Sequence, residues 1–402
     1  MYHGPDMISR RNALRGLMGM FGTAPWLSSQ DGGQINWDDP LYGPINVFDF
    51  RELAKKKVDP LAWDYLEEGS EDEQALRDAR EVFRNLILRP RMLVDTHKID
   101  TSLELFGRKI DYPILIDPAG GKNCFFRNGE QEVAKAARNA KALHITNGGI
   151  EDLVESGKGP ATWWQVTTGG GLMNRQTRKA FVSRLEDQGC AGICFTVDIS
   201  HVSQRERSMH NRLERAWCES GIPPRDANGQ VPKAKNPWRA GIYPGRNTPM
   251  PTWQTLSELV SDTKLPVIVK GILIGEDAEK CLKHGAAGIV VSSHGARQMD
   301  HVGAPVEAVP ECVKAVNGKI PVLVDGGFRR GTDILKGLAL GATAVCVARP
   351  YLYGLAAFGQ RGVERVMELL KTELALNMGL AGVPNLKAID RSLVRWRWEH
   401  KG

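Results

Sequence analysis

The sequence predicts an α/β fold in which eight parallel strands, each followed by a helix, close into a barrel. One strand pattern starts with a proline, continues as a short apolar run and ends in a charge, and it occurs at 111–117, 264–270 and 319–325. In a second pattern a glycine turn leads into an apolar run with a polar end, and it occurs at 188–198, 284–294 and 340–349. Two further apolar runs complete the set of eight, at 142–146 and 161–166.

Strands that are apolar throughout are typical of a (β/α)8 TIM barrel, because the barrel interior and the surrounding helices cover both faces of the sheet. Helical patterns fill most gaps between the strands, at 129–141, 177–188, 275–284, 304–316 and 331–340. A doubly wound open sheet is the alternative fold. No GxGxxG motif follows an early strand to support it.

Three segments fall outside the strand–helix pattern. Residues 1–45 lack periodicity and are predicted to form a leader or arm, whereas 46–380 form the barrel domain and 381–402 a C-terminal tail. Two helical patterns extend the barrel domain at its N-terminus, at 47–57 and 60–68. An insertion after the fourth strand, about residues 206–252, is rich in Pro, Gly and charge, and its length predicts a lid or a mobile loop.

The N-terminus contains a candidate export signal. Ser9-Arg10-Arg11 precedes a weakly apolar stretch and resembles a twin-arginine signal, which would place the protein in the periplasm or cell envelope. Arg15 interrupts the apolar stretch, and no A-x-A cleavage site follows it. A cytoplasmic protein with an N-terminal arm is therefore the alternative.

The composition excludes several classes of protein. The chain of 402 residues is 42% hydrophobic and carries a net charge of +6 spread along its length, which gives no footprint for nucleic acid. Seven cysteines form no CxxC pair and no Cys/His ligand spacing. We therefore expect neither a zinc site nor a structural disulfide framework.

Small or polar residues stand at all eight predicted strand ends. In a barrel these ends form one rim, and that rim carries the active site. Separate structural caps could explain each residue singly, but one shared site explains them together. The rim residues are Ala119 and Gly120, Thr146, Gln165, Thr196 and Asp198, Lys270, Ser292, Asp325 to Gly327, and Arg349.

The sixth strand leads into SSHGARQMD, residues 292–300. Here His294 and Arg297 place a proton acceptor and a fixed cation at the strand end, a pair that suits an anionic substrate that must lose a proton. The seventh strand leads into DGGFRRG, where two glycines and Arg329 precede a helix N-terminus, and Arg349 follows the eighth strand. These two ends predict a phosphate site.

Taken together, the motifs resemble those of the FMN-dependent α-hydroxy-acid oxidase and dehydrogenase family, from about Phe48 to Leu380. The motifs that carry the resemblance are DYLEEGSEDE, FTVD, RE after the fourth strand, VKG, SSHGARQMD and DGGFRRGTD, in this order. The resemblance implies FMN as cofactor, a small 2-hydroxy acid such as lactate as substrate, and oxygen or a respiratory quinone or cytochrome as electron acceptor. It also implies a homo-oligomer, a tetramer.

The resemblance further implies a role for each rim residue. His294 would be the catalytic base and Asp198 its partner, while Arg297, Arg205 and Tyr65 would hold the substrate carboxylate. Lys270 would lie near the N1 edge of the flavin, where a cation offsets the negative charge of the reduced ring. The other cofactor contacts would come from Ala119, Gly120, Thr146, Gln165, Thr196 and Ser292 at the ring, Asp325 and Gly326 at the ribityl chain, and Gly327, Arg329 and Arg349 at the phosphate.

Some positions depart from the family pattern. Thr167 stands where the family usually has a tyrosine, and the first strand ends in Pro118-Ala119-Gly120 followed by Gly121 and Lys122. These changes spare the base and the carboxylate clamp but alter the substrate end of the pocket. A larger hydroxy compound or a peptide-derived substrate is thus the second functional hypothesis, and a catalytically weak flavin- or phosphate-binding protein the third.

Overall fold

The structure, a computed structural model, describes residues 36–148, 162–167, 172, 174–201, 203–211, 228 and 250–399. The chain divides into two units, residues 1–43 and 44–402. The described part of the first unit, residues 36–43, is a series of turns in which the Asp39 carbonyl accepts the N–H of Gly43 at 3.0 Å. The twin-arginine motif and most of the predicted insertion lie outside the described residues.

Three helices begin the second unit: α1 Val47–Lys57, α2 Pro60–Glu67 and α3 Gln74–Asn85. The Asn46 side chain caps α1 by accepting the N–H of Phe48 at 2.8 Å, and Asp59 caps α2 in the same way. The cap of α3 comes from a distant loop, because the Asp300 carboxylate accepts the N–H groups of Gln74 at 3.0 Å and Ala75 at 2.7 Å. Burial alone would raise the pKa of Asp300, but these N–H groups outweigh it and lower the pKa.

Three short strands separate these helices from the barrel: β1 Leu86–Leu88, β2 Leu103–Leu105 and β3 Arg108–Ile110. Strands β2 and β3 pair with each other, and their Leu105 and Ile110 join the apolar cluster inside the barrel. Phe106 in the turn between them packs against Trp163, with ring centroids 5.5 Å apart. This hairpin adds apolar side chains to the barrel's inner cluster.

The predicted barrel is confirmed. Eight strands pair in chain order and close on themselves, and every pair is parallel. The strands are β4 Ile114–Ile116, β5 His144–Thr146, β6 Thr162–Val166, β7 Gly192–Thr196, β8 Val267–Ile272, β9 Gly288–Val291, β10 Val322–Val324 and β11 Ala344–Val347. Each overlaps a predicted strand, which rules out the open sheet.

Helices follow most of the strands. They are α4 Lys122–Phe125, α5 Gly129–Asn139, α6 Arg175–Asp187, α7 Glu206–Asn211, α8 Trp253–Asp262, α9 Gly275–Lys283, α10 Pro305–Val316, α11 Gly331–Ala339 and α12 Arg349–Leu380. Five of them match the predicted helical patterns. None of the helices in the described part of the chain is both long and apolar enough to cross a bilayer.

The inner surface of the barrel is packed with apolar side chains and is not a pore. Leu115, Ile145, Cys194, Leu323 and Cys346 lie at most 1% exposed in one cluster. Because successive side chains of a strand alternate between its two faces, the flanking residues pack outward against the helices. The polar rim residues thus lie beyond an apolar interior.

Residues 381–399 are structured, so the described part of the predicted tail belongs to the fold. Strand β12, Val394–Trp396, pairs antiparallel with β1. Two 3-10 helices precede it, Leu386–Ala388 and Arg391–Leu393. Strand β12 therefore folds back onto the segment that leads into the barrel.

One cysteine departs from the sequence expectation. Cys124 is disulfide-bonded, although the cysteine spacing predicted no disulfide framework. Spacing rules detect cysteines that are close in sequence, and they miss a pair that only the fold brings together. Five other cysteines are free and buried: Cys190, Cys194, Cys281, Cys312 and Cys346.

Helix α12 is sharply kinked part-way, because Phe358 and Gly359 have non-helical backbone angles. The two halves touch through Gly354 and Gly362, both buried. A Cβ on Gly362 would overlap the carbonyl oxygen of Gly354. The absence of a side chain is what lets the two halves approach so closely.

We predict that Gly362→Ala lowers the free energy of unfolding by about 1–3 kcal/mol, because the added methyl has no space. Gly379→Ala in the same helix is the matched control, since its Cβ would meet only Ile99 Cδ1 at 3.9 Å. Urea unfolding of both variants measures the difference. Equal stability of the two variants would contradict the close contact.

Candidate active site

Polar side chains form a buried layer at the carboxyl end of the barrel. Seven strands contribute one residue each, at or just past the strand end, and each of these residues is less than 9% exposed. They are Asp117, Thr146, Gln165, Thr196, Lys270, Ser292 and Asp325. Except for Asp117, all were predicted as site residues, and the fold brings them together.

Lys270 lies at the centre of this layer. Its ammonium donates to Asp325 Oδ2 and to Ser292 Oγ at 2.6 Å, and Asp117 Oδ2 lies 3.5 Å away. Ser292 Oγ in turn donates to Asp325 Oδ2 at 2.7 Å. Burial pulls the pKa of Lys270 down, but Asp117 and Asp325 outweigh burial and hold the pKa well above its ordinary value. Lys270 is therefore a permanent cation.

His294 lies on a strained loop directly after β9. Three consecutive residues, His294, Gly295 and Ala296, have positive φ angles of 56°, 65° and 60°. Such angles are uncommon for residues with a side chain and cluster at functional sites. The loop is held by the His294 N–H, which donates to Ser292 Oγ at 3.0 Å.

The loop aims His294 at Asp198. Nδ1 of His294 lies 2.9 Å from Asp198 Oδ1. A carboxylate at Nδ1 selects the tautomer with the proton on that nitrogen, so Nε2 is left as the proton acceptor. Gly271 allows this approach, because a Cβ there would lie 2.6 Å from Asp198 Cβ. Thus the glycine of the VKG motif makes room for the carboxylate that pairs with His294.

Glu68 lies at the centre of a cluster formed by Arg297, Arg205 and Tyr65. The sequence did not single out Glu68 as a site residue. Arg297 donates to the Tyr65 carbonyl at 2.7 Å and to Glu68 Oε1 at 3.1 Å, and its guanidinium lies 4.7 Å from the centre of the Tyr65 ring. Arg205 lies 3.6 Å from the same Glu68 oxygen. Glu68 is fully buried, and its second oxygen accepts the N–H of Ser208 at 3.0 Å.

The loop after β10 has the backbone of an anion site. Gly326 and Gly327 have φ angles of 90° and 81°, and the carbonyl of Ala79 packs so closely against Gly327 that a Cβ would overlap it. Arg329 is 8% exposed and lies 5.8 Å from the centre of the Tyr353 ring. Glycine amides and a nearby guanidinium form a surface that suits phosphate.

Arg349 connects two parts of the site. Its guanidinium donates to the carbonyls of Leu66 at 3.1 Å, Glu68 at 2.9 Å and Gly295 at 3.0 Å. These contacts join the end of α2 to the loop that carries His294. The phosphate role of Arg349 stays a prediction.

Lys122 organises the rim near β4 and β5. It is fully buried and donates to the Ala119 carbonyl at 2.8 Å, to Glu130 at 2.7 Å and to Asn147 at 2.8 Å. Because all three acceptors belong to the protein, the Lys122 ammonium holds the backbone at Ala119 and Gly120 in place. The role of Lys122 is therefore structural.

These residues fit a flavin nucleotide. Asp325 Oδ1 is buried and has no hydrogen-bond partner among the described residues, so it is suited to accept a hydroxyl of a ligand. The neighbouring glycine loop suits a phosphate, and the Lys270 cation suits a ring that becomes negative on reduction. A polyhydroxylated, phosphorylated redox cofactor meets all three conditions.

Comparison with known proteins identifies the family. A family model described as FMN-dependent dehydrogenase matches residues 54–396. The chain belongs to the FMN-dependent dehydrogenase family. Its cofactor is FMN, and it is an oxidoreductase that acts on a CH–OH group of a 2-hydroxy acid.

Relatives cover nearly the whole barrel. Glycolate oxidase of Spinacia oleracea is 35% identical over 360 residues, which are 88% of this chain and 96% of the relative. L-lactate oxidase of Nostoc sp. is 38% identical over 372 residues, 88% of this chain and 99% of the relative. The crystal structure of mandelate oxidase with benzoyl-formic acid superposes with a TM-score of 0.75 at 33% identity, covering 88% of this chain and 99% of that one.

We predict that Glu68→Gln lowers the free energy of unfolding by about 2–3 kcal/mol, because it leaves Arg297 without its buried charge partner. The exposed Asp72→Asn, four residues away, is the control and should change stability little. Thermal unfolding of the FMN-bound proteins measures both. A Glu68→Gln protein as stable as the control would show that the buried pair contributes nothing.

Proposed function

We propose that the protein oxidises a lactate-like L-2-hydroxy acid to the corresponding 2-oxo acid and passes the two electrons to FMN. The observation that carries this proposal is the pairing of His294 with Asp198 beside the cluster of Arg297, Arg205 and Tyr65. A base and a carboxylate clamp are the two groups that this reaction requires. Bound FMN supplies the two-electron acceptor.

His294 acts as the base. Its Nε2 takes one of the two protons that the substrate loses, and Asp198, 2.9 Å from Nδ1, stabilises the imidazolium that forms. The left-handed loop backbone holds the ring in place before substrate arrives, which lowers the entropy lost on reaching the reactive geometry. Asp198 is thus the residue that orients and stabilises the base.

Arg297 and Arg205 bind the substrate carboxylate. A guanidinium presents its N–H groups in a planar fork that matches a carboxylate. Glu68 and the Tyr65 carbonyl accept from Arg297 and hold it in position, while the Tyr65 ring covers one face of the guanidinium. The clamp therefore fixes the acid end of the substrate and leaves its other end to the rest of the pocket.

A second candidate substrate is a larger hydroxy compound or a peptide-derived one. It is favoured by Thr167, which is smaller than the tyrosine that the family usually has there, and by the glycines at 120 and 121. Less side-chain volume at the substrate end leaves room for a longer or bulkier group. The base and the clamp would work on either substrate.

Oxygen is the electron acceptor that we propose, since the similar glycolate and lactate enzymes are named oxidases. A respiratory quinone or cytochrome is the alternative. The twin-arginine resemblance would favour that alternative, because an exported enzyme lies beside the respiratory chain.

The proposed function predicts that L-lactate bleaches the yellow FMN protein under anaerobic conditions. His294→Ala should keep its FMN but reduce it about 10²–10⁴-fold more slowly, because the proton acceptor is gone. Stopped-flow absorbance of the flavin measures the rate of reduction.

A panel of L-2-hydroxy acids of increasing size extends this test. If none of them bleaches the yellow wild-type protein, the lactate-like proposal is wrong and the larger substrate is favoured. If His294→Ala is reduced as fast as the wild type, His294 is not the base.

The acceptor proposal predicts that air-saturated buffer reoxidises the reduced protein within the turnover time and produces one H2O2 per substrate. The same reduced protein mixed with a soluble quinone or with cytochrome c under anaerobic conditions is the comparison. Faster reoxidation by either of these than by oxygen would overturn the oxidase assignment.

A further inference from the structure

A second buried carboxylate faces the Lys270 ammonium from across the barrel. Asp117 follows β4, which lies four strands from β8 in the closed ring of eight, so the two residues approach from opposite sides. Asp117 is 4% exposed, and its Oδ2 lies 3.5 Å from Lys270 Nζ. Its Oδ1 is buried and has no hydrogen-bond partner among the described residues.

The backbone holds Asp117 in this position. Its N–H donates to the Val347 carbonyl at 3.0 Å, and its own carbonyl accepts the Tyr351 hydroxyl at 3.0 Å. These two bonds fix the backbone from which the buried carboxyl group extends. Any charge on the Asp117 carboxylate acts inside the polar layer.

The role of Lys270 at the flavin does not account for Asp117. Asp325 and Ser292 accept hydrogen bonds from the ammonium, so Lys270 keeps two acceptors even when Asp117 is neutral. Burying another carboxylate with an unpaired oxygen is unfavourable. Buried titratable groups beside a redox centre are candidates for setting its electrostatics.

We propose that Asp117 is a positioning residue of the redox centre, which sets through its own protonation how much of the positive charge of Lys270 acts on the FMN ring. Lys270 and Asp325 cancel each other, so the cluster is neutral while Asp117 is protonated and carries a net negative charge once Asp117 is ionised. A net negative charge opposes reduction of a ring that itself becomes negative. The proposal rests on FMN binding and is independent of the identity of the hydroxy acid.

The neighbouring groups leave Asp117 as the titrating member of the cluster. Burial raises the pKa of Asp117 well above that of an ordinary carboxyl; Lys270 opposes this rise and the charge of Asp325 adds to it. Burial also raises the pKa of Cys194 to about 12 and those of Cys346 and Tyr351 well above their ordinary values, so these groups stay neutral. Lys270 stays charged.

The sign of the pH effect follows from the raised pKa. Below that pKa Asp117 is neutral and adds no negative charge that would oppose reduction of the flavin. As the pH rises through it, Asp117 ionises and the midpoint potential of the flavin falls. Reduction of the flavin in turn favours proton uptake by Asp117, because linkage acts in both directions.

Asp117→Asn in the FMN-bound enzyme tests the proposal, because asparagine keeps the size of the side chain and cannot ionise. Dye-equilibrated reduction across a pH series measures the midpoint potential without any hydroxy acid, so a wrong substrate assignment does not affect it. His294 and Asp198 are unchanged in the variant, and their contribution to the pH dependence is common to both proteins.

We expect the two potentials to agree at acidic pH and to separate as the pH rises, with the variant higher. At the alkaline end the reduction equilibrium of the variant should be about tenfold more favourable, which is about 30 mV for a two-electron couple. Asp111→Asn is the control, because this carboxylate on the same segment is exposed and lies 3.9 Å from Lys141. It should follow the wild type throughout.

Equal potentials of Asp117→Asn and wild type at every pH would overturn the proposal, as would a lower potential in the variant. If the variant does not retain FMN, the wild-type protein decides. In wild-type protein labelled with ¹³C-aspartate and measured at alkaline pH, the reduced-minus-oxidised infrared spectrum should then show a new band from a protonated carboxyl group. The absence of that band means that Asp117 does not change its charge.

Discussion

The buried ammonium of Lys270 is the interaction on which the polar layer depends. An apolar barrel interior ends in a ring of strand ends that must satisfy several buried oxygens at once, and one cation on β8 reaches Asp325 and Ser292 and lies close to Asp117. Without it, two buried carboxylates that lie two strands apart in the ring, Asp117 and Asp325, would share a medium of low dielectric constant with no cation between them. The charge that holds this layer together is also the one that we propose acts on the flavin ring.

Much of the fold was predictable because short apolar runs with polar ends recur along the sequence, one for each barrel strand. Eight apolar runs with polar ends carry enough redundancy to identify the fold even where a single strand is only three residues long, as β4 and β10 are. The rim residues follow from topology, since parallel strands bring their carboxyl ends together. Topology therefore places Asp198 and His294, almost a hundred residues apart, on one rim, and their pairing was an implication of the family resemblance.

The elements that the sequence did not reveal depend on contacts between distant segments. Asp300 caps α3 although more than two hundred residues separate them, and the antiparallel pairing of β1 with β12 joins the start of the barrel domain to its end. Glu68 stands beside another glutamate, and nothing in the pattern distinguishes the one that becomes fully buried. Asp117 resembled the charged ends of the other strands, and only the fold placed it against a cation that was already paired.

The contact of Asp300 with α3 also bears on how this active site could be inherited or transplanted. The segment that begins at His294 ends at Asp300, which caps α3 of the N-terminal extension. Arg349 joins the end of α2 to the loop that carries His294. Barrel and extension therefore form one structural unit. An exchange that moved the eight strands alone to another protein would deliver His294 without Glu68, the buried glutamate that accepts from Arg297.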